Sequence, residues 1–474
     1  MARTASPTRR ELLAAGAAAG ALALLPGCGG ASSADRRQAR VVIVGAGIAG
    51  LTAALVLRDA GVRATVYEAS DRVGGRMHTS YDGWGDGRHV ELCGEFVDSD
   101  HTTIRRLVRR FRLDLTDLGA DEPAGSHETY RVGGEAIAAD ELRRELRRVV
   151  PALRRDARAA GDVTWRHASG AGRALDRMTV AEWIARNVPD GPLRPLLAAV
   201  FTAEYAADPQ DLSALNIVWD LARRQPRQGV RFFDSDERYT ITQGSQALPQ
   251  AIARKVGHVR LNQPMTGLAQ NRREVILGIG REEVRADRVI LALPFASLRE
   301  LDLADAGFDA RKRRAIDTLE RGRSTKLAMR FDGRPWDAGG GNGTILTDAP
   351  FTTTWDATRG QPGPAAVLTA LAGGARAARL AANPDRVADT LAQLDAAIPG
   401  VSADFSGHAE LSAPPLSYSY VAPGQFSTIH GYERVRQSRV HFAGEHCSVE
   451  YQGSMEGAAR EGARAAREVL RRLG

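Results

Sequence analysis

Gly45, Gly47 and Gly50 stand at the spacing that lets a main chain close around a pyrophosphate. Gly45 permits the tight turn, Gly47 allows close approach to the phosphates, and Gly50 lets helix and strand pack together. Ile48 and Ala49 lie between them, where a helix start offers free N–H groups and partial positive charge to an anion. Glu68 follows roughly 20 residues after the middle glycine, where a carboxylate holds ribose hydroxyls. A glycine run alone is weak evidence. Here it follows Arg40–Val44, a continuous apolar strand, and precedes a helical pattern over Leu51–Ala60, a stop at Gly61 and a second strand over Val62–Tyr67. Strand, turn, helix, strand and acid together predict a dinucleotide site.

The chain continues Glu68–Ala69–Ser70–Asp71–Arg72–Val73–Gly74–Gly75–Arg76. Gly74 and Gly75 allow a second backbone approach to the diphosphate, and Arg72 and Arg76 supply charge there. This stretch resembles the extension found in FAD-binding amine oxidases. From Arg40 to Leu473 the chain is similar to the bacterial flavin monoamine oxidase family. The resemblance places Gly94, Glu95 and Phe96, in Glu91–Leu92–Cys93–Gly94–Glu95–Phe96–Val97–Asp98, beside the cofactor, with Cys93 where the family has glycine. It places the Met265 backbone against adenine. It makes Gly444–Glu445–His446 the end of a strand beside the cofactor, and Gly453–Ser454–Met455 the start of a last helix aimed at the flavin pyrimidine edge.

The same resemblance assigns catalysis to Lys326, in the alternating strand Ser324–Phe331, through a water at flavin N5. It implies non-covalent FAD, because Leu416 falls where some relatives carry a flavin-bound cysteine. The expected substrate pocket holds Tyr205, Phe232, Ser417, Tyr418 and Tyr451. Ser417 and Ser454 fall on two positions that are aromatic in the family, and Tyr418 or Tyr451 remain open as replacements. Glu95–Phe96 takes the place where amino-acid oxidases use an arginine, which favours an amine over an amino acid. No metal site and no Gly-x-Ser-x-Gly elbow is expected.

The fold class implied is α/β: a Rossmann-like FAD-binding domain, residues 40–92, 239–300 and 418–474, interleaved with a mixed helix/sheet substrate-binding domain, residues 93–238 and 301–417. The first insertion reads as mostly helical over Leu142–Ala159 and Val180–Leu221. The second reads as strands over Lys326–Phe331, Gly343–Thr347 and Ala366–Leu371. Ala286–Pro294 reads as a single strand. The 474 residues, 43% hydrophobic, suffice for more than one core.

The net charge of +7 does not point to nucleic acid. Of 64 basic residues only Lys255, Lys312 and Lys326 are lysine, and the arginines are scattered among acids. Arg143, Arg144, Arg147 and Arg148 read as a solvated helix face, and Lys255 and Lys312 as surface cations. Residues 1–28 read as a leader: Arg9–Arg10 resembles a twin-arginine export signal, and Leu12–Leu25 is shorter than the roughly 20 residues of a membrane span. Leu25–Pro26–Gly27–Cys28 resembles a lipoprotein cleavage box, with residues 29–39 as linker. The expected location is outside the cytoplasm, lipid-anchored through Cys28. Cys93 and Cys447 read as free thiols.

The expected reaction is oxidation of a primary or secondary amine to an imine, with molecular oxygen as acceptor and hydrogen peroxide as product. An L-amino-acid oxidase or another flavin desaturase or oxidase is the alternative enzyme. A non-catalytic FAD-carrying lipoprotein is the alternative of another class. A homodimer stays open.

Overall fold

The computed structural model describes residues 38–223, 235–414 and 417–473. Its organising element is Val41–Val44, buried along its whole length. A strand covered on both faces must be apolar at every position rather than at alternate ones. It pairs in parallel with Ala64–Tyr67 and Arg288–Leu291. Val440–Phe442 and Val259–Arg260 complete a five-stranded parallel sheet. One sheet thus draws on segments hundreds of residues apart in sequence, and the fold is α/β.

The helix Ile48–Asp59 covers one face of this sheet, and the last helix, Met455–Arg472, packs on it. Small residues make the close crossing feasible: a Cβ added at Gly462 would lie 2.0 Å from the Ala49 carbonyl oxygen. Ala459, Ala465, Ala466 and Val469 are buried beside Leu51 and Leu55 in one apolar cluster.

A seven-stranded sheet forms a second layer, in the order Phe405–Ser412, Ser324–Phe331, Ala366–Gly373, Thr353–Asp356, Gly341–Thr347, His127–Val132 and Glu135–Ile137. Leu327, Met329 and Phe331 point into its core, so Lys326 faces the other way. The helices Ala139–Ala160, Val180–Asn187, Leu193–Tyr205 and Ala214–Arg223 share a separate core with Trp183 and Phe201. Arg143, Arg144, Arg147 and Arg148 are exposed on the first of these, as its periodicity predicts.

Two expectations are corrected. Ala286–Pro294 is not one strand: Glu282–Ala286 belongs to a three-stranded antiparallel sheet and Arg288–Leu291 to the parallel one. The switch falls at Asp287, whose N–H donates to Arg40 O and whose carboxylate accepts the Arg40 N–H, both at 2.8 Å. Lys312 is not a surface cation either. It is fully buried, and Nζ donates to the Tyr432 and Glu433 carbonyls at 3.0 and 2.6 Å. Burial pushes its pKa down to about 7. Cys93 and Cys447 are both free thiols. No described helix is long and apolar enough to cross a membrane. Residues 1–37, with the leader, Arg9, Arg10 and Cys28, lie outside the described residues, as do Phe232 and Leu416.

Candidate active site

The turn after Val44 is built where only glycine fits. Gly45 has φ 101°, and a Cβ on it would sit 2.7 Å from the Ala292 carbonyl oxygen. A Cβ at Gly50 would lie 1.9 Å from the Gly45 oxygen, so Gly50 is a packing glycine beneath the turn. Gly47 is different: a Cβ there meets nothing within 4 Å and projects into open space. It caps the helix Ile48–Asp59 with no side-chain hydrogen bond. Gly74 and Gly75, at φ 108° and 57°, bring a second backbone alongside, with Gly74 N–H donating to Ala46 O at 2.9 Å. Glu68 closes the cradle. One carboxylate oxygen accepts from Ala46 N–H at 2.7 Å, and the other from the Ser70 N–H and hydroxyl.

Gly45, Gly47, Glu68, Gly74 and Gly75 line one cavity of about 2430 Å³, together with Ile48, Ala49, Ala69 and Met265, and Gly50 lies outside its lining. Ordinary small-molecule pockets hold about 300–1,000 Å³, so the space suits a dinucleotide and a second ligand. An open glycine cradle, an uncapped helix start and a carboxylate in the same cavity wall fit the FAD that the motifs imply.

Both arginines line the cavity and also hold protein partners. Arg72 Nη2 donates to Gly75 O at 2.9 Å. Arg76 Nη1 donates to Ser417 O at 2.7 Å and to Glu445 Oε1 at 2.9 Å. Glu445 also accepts from Ser419 Oγ at 2.8 Å and Gly453 N–H at 2.9 Å. Burial pushes the Glu445 pKa up, but the Arg76 charge holds it below the usual carboxylate range. The Glu445 carboxylate therefore braces the loop, while Gly444 and Glu445 still line the cavity. Ser454 caps the last helix, accepting from Gly457 N–H at 3.1 Å, and its hydroxyl donates to Tyr451 O at 2.9 Å. Met455 lies against Gly94 at the cavity wall.

Lys326 faces the same cavity. Its ammonium donates to Glu91 O at 3.1 Å, Cys93 O at 2.8 Å and Glu95 Oε2 at 2.8 Å. An ammonium has three donors, so all are engaged by protein acceptors and a bridging water must displace one. Glu91 anchors this segment: its buried carboxylate accepts from Thr79 Oγ1 at 2.9 Å and Ser245 N–H at 2.7 Å, and burial pushes its pKa up to about 7.

The expected substrate-side residues are also together. The Tyr418 hydroxyl donates to Ala203 O at 2.6 Å, which fixes its ring beside Gly453. Tyr205 lies parallel to Phe201 with centroids 6.1 Å apart, and its hydroxyl donates to Asp220 at 2.5 Å. Ser417 Oγ meets Ser324 Oγ at 2.9 Å. Tyr451 bonds outward to Asp100 at 3.1 Å and stacks with Arg460. Tyr418 is thus the better placed of the two tyrosines to serve as a cage wall.

Trp355, Glu204, Glu237 and Cys93 are among the cavity residues that sequence reasoning did not assign to the site. Trp355 sits on Thr353–Asp356, two strands from Lys326, and its alternating strand was the available signal. Glu204 and Glu237 line the substrate side, and Cys93 also reaches the cavity. Burial first, then Glu204, pushes the Glu237 pKa up to about 8. Asp98, Asp100 and His101 bring ligand atoms within 4.8 Å of one another, but Asp98 accepts from the Glu237 N–H at 3.0 Å, Asp100 from Tyr451, and His101 Nδ1 from the Asp98 N–H at 3.1 Å.

A dinucleotide cradle opening on the same cavity as a part-buried lysine fits a cofactor-dependent oxidoreductase. Residues 48–470 match the family model described as flavin containing amine oxidoreductase, and the chain belongs to that family. It is 24% identical to the Bacillus subtilis protein YobN, whose name places it provisionally among L-amino-acid oxidases, over 93% of this chain and 96% of that one. It is 24% identical to human flavin-containing amine oxidase B, over 92% of this chain and 86% of that one. Cyclohexylamine oxidase from Brevibacterium oxydans superposes with TM-score 0.82 at 25% identity, over 92% of this chain and 99% of that structure. The chain is an FAD-dependent amine oxidase.

Proposed function

We propose that this protein oxidises a small primary or secondary amine to the imine, passing the electrons to molecular oxygen to give hydrogen peroxide. The observation that carries this reading is that the glycine cradle and Lys326 open on one cavity. Held by the cradle of Gly45, Gly47, Gly74 and Gly75, FAD would supply the acceptor for a hydride equivalent from the carbon next to nitrogen. The chain's own residues orient and insulate: Tyr418 and Trp355 present rings, and Lys326 places a charge beside the flavin. Glu204 on the substrate side places a carboxylate where it attracts a cationic amine and repels an amino-acid carboxylate, which supports an amine over an amino acid, while burial pushes Glu237 towards its neutral form. Tested without oxygen, a panel of alkylamines should bleach the yellow protein and L-amino acids should not. Bleaching by amino acids alone would move the assignment to that class.

FAD is held without a covalent bond in this reading. Cys93 does line the cavity, but burial pushes its thiol pKa up, away from the reactive thiolate. Acid precipitation should release all the flavin into the supernatant, and colour retained in the pellet would count against it.

The leader supports export by the twin-arginine route, which carries folded, cofactor-loaded proteins, followed by lipidation at Cys28. Replacing Arg9 and Arg10 by Lys should leave precursor in the cytoplasm. Cys28→Ala should abolish lipid labelling, and a labelled Cys28→Ala protein would place the anchor elsewhere.

A further inference from the structure

Lys326 is not a lone cation in the cavity wall. Its partner Glu95 is 2.8 Å away, and the two side chains are 13% and 4% exposed. The second oxygen of Glu95 accepts from Trp355 Nε1 at 2.9 Å. The Trp355 ring centroid lies 5.1 Å from Lys326 Nζ, and Phe96 meets that ring edge-on at 5.7 Å. Both oxygens of the carboxylate and all three donors of the ammonium are therefore committed. Of the neighbouring charges, the Glu91 carboxylate is held by Ser245 and Thr79 and Arg76 by Glu445, while Glu237, within electrostatic reach of both Glu95 and Lys326, is pushed towards its neutral form by burial.

A buried charge without a partner is strongly unfavourable, and one whose partner is fixed acts on its surroundings as an oriented dipole. At a few ångströms in a low-dielectric site the difference between a bare cation and a neutral pair is large. It bears directly on how readily a neighbouring group accepts electrons.

We propose that Glu95 is a positioning residue for Lys326: anchored by Trp355, its carboxylate fixes the ammonium and balances its charge, so the flavin-facing wall is a net-neutral ion pair. The inference rests on Lys326 lying beside bound FAD. Through this pair Glu95 sets the electrostatic field that tunes the flavin. Trp355 acts one step further back, by holding the carboxylate in line.

The test is the two-electron reduction potential of FAD in the purified full-chain holoenzyme, measured by dye-coupled titration. Glu95→Gln keeps the shape, leaves Lys326 unbalanced, and should move the potential positive. Lys326→Met should move it negative. The double variant should return near the wild-type value, because it removes both charges. Trp355→Phe, which removes one anchor of the carboxylate, should shift it in the Glu95→Gln direction by less. A packing role alone cannot give opposite signs that cancel. If Lys326→Met shifts the potential and Glu95→Gln does not, Glu95 does not balance the lysine and the inference falls. If Lys326→Met itself has no effect, the placement of Lys326 beside the flavin is what fails. Should Glu95→Gln lose FAD, Glu95→Asp must restore both flavin content and the wild-type potential, and failure to restore them overturns the proposal.

Discussion

Lys326→Met should give a folded, yellow protein that turns over its amine about 10²-fold more slowly, the loss expected when one placed polar group leaves a dry site. The fold survives because the strand's packing face is untouched: Leu327, Met329 and Phe331 are buried on the opposite side. FAD stays because the dinucleotide cradle is formed by other segments. The Glu91 and Cys93 carbonyls lose their donor, and Glu95 keeps only Trp355. A clear loss of thermal stability, on the order of 3 kcal/mol, should accompany the kinetic defect, because the buried Glu95 carboxylate loses its ion-pair partner. Stopped-flow spectra separate reduction by amine from reoxidation by oxygen. Normal flavin content with near-normal rates in both halves would make Lys326 an ordinary strand cation.

Gly47→Ala and Gly50→Ala should fail in opposite ways, although the two positions are three residues apart in one motif. At Gly47 the added methyl points into the open cavity and touches no protein atom within 4 Å. The apoprotein should keep its melting temperature while affinity for FAD falls by about 10²-fold, roughly 3 kcal/mol. At Gly50 the methyl would lie 1.9 Å from the Gly45 oxygen and 3.2 Å from Ile43 Cγ2. Helix and strand must separate, at a cost of about 1–3 kcal/mol or more, with or without cofactor. Calorimetry of the apo forms beside flavin titration distinguishes the two. A Gly47→Ala protein with wild-type FAD affinity would mean that the cradle does not receive the pyrophosphate there.

The cradle was legible because its physics is local. Gly45, Gly47, Gly50 and Glu68 lie within one strand–helix–strand unit, where spacing alone fixes which backbone turns and which approaches a ligand. Lys326 was legible through family likeness and strand alternation. Its partnership with Glu95 and Trp355 was not, because those residues meet only when the seven-stranded sheet closes over the segment after Glu91. The ion pair of Arg76 with Glu445 was hidden for the same reason. A basic residue beside paired glycines suits a diphosphate, and the Glu445 that takes it lies at the far end of the chain. Lys312 shows the limit of composition: nothing in Arg311–Lys312–Arg313–Arg314 reveals which cation turns inward onto the Phe442 ring.

The central strand of the parallel sheet is made early in the described chain, while the sheet's outer strand Val440–Phe442, paired with Arg288–Leu291, and the helix Met455–Arg472 that seals the Ile48–Asp59 helix are made roughly four hundred residues later. On the ribosome the first motif to emerge must therefore wait for nearly the whole polypeptide before its sheet is complete. Contacts between chain ends close slowly. Cofactor capture becomes an event after synthesis, and a messenger truncated before the Val440 codon yields a chain that has its glycine cradle but neither the outer strand of the sheet nor the covering helix to hold it in place.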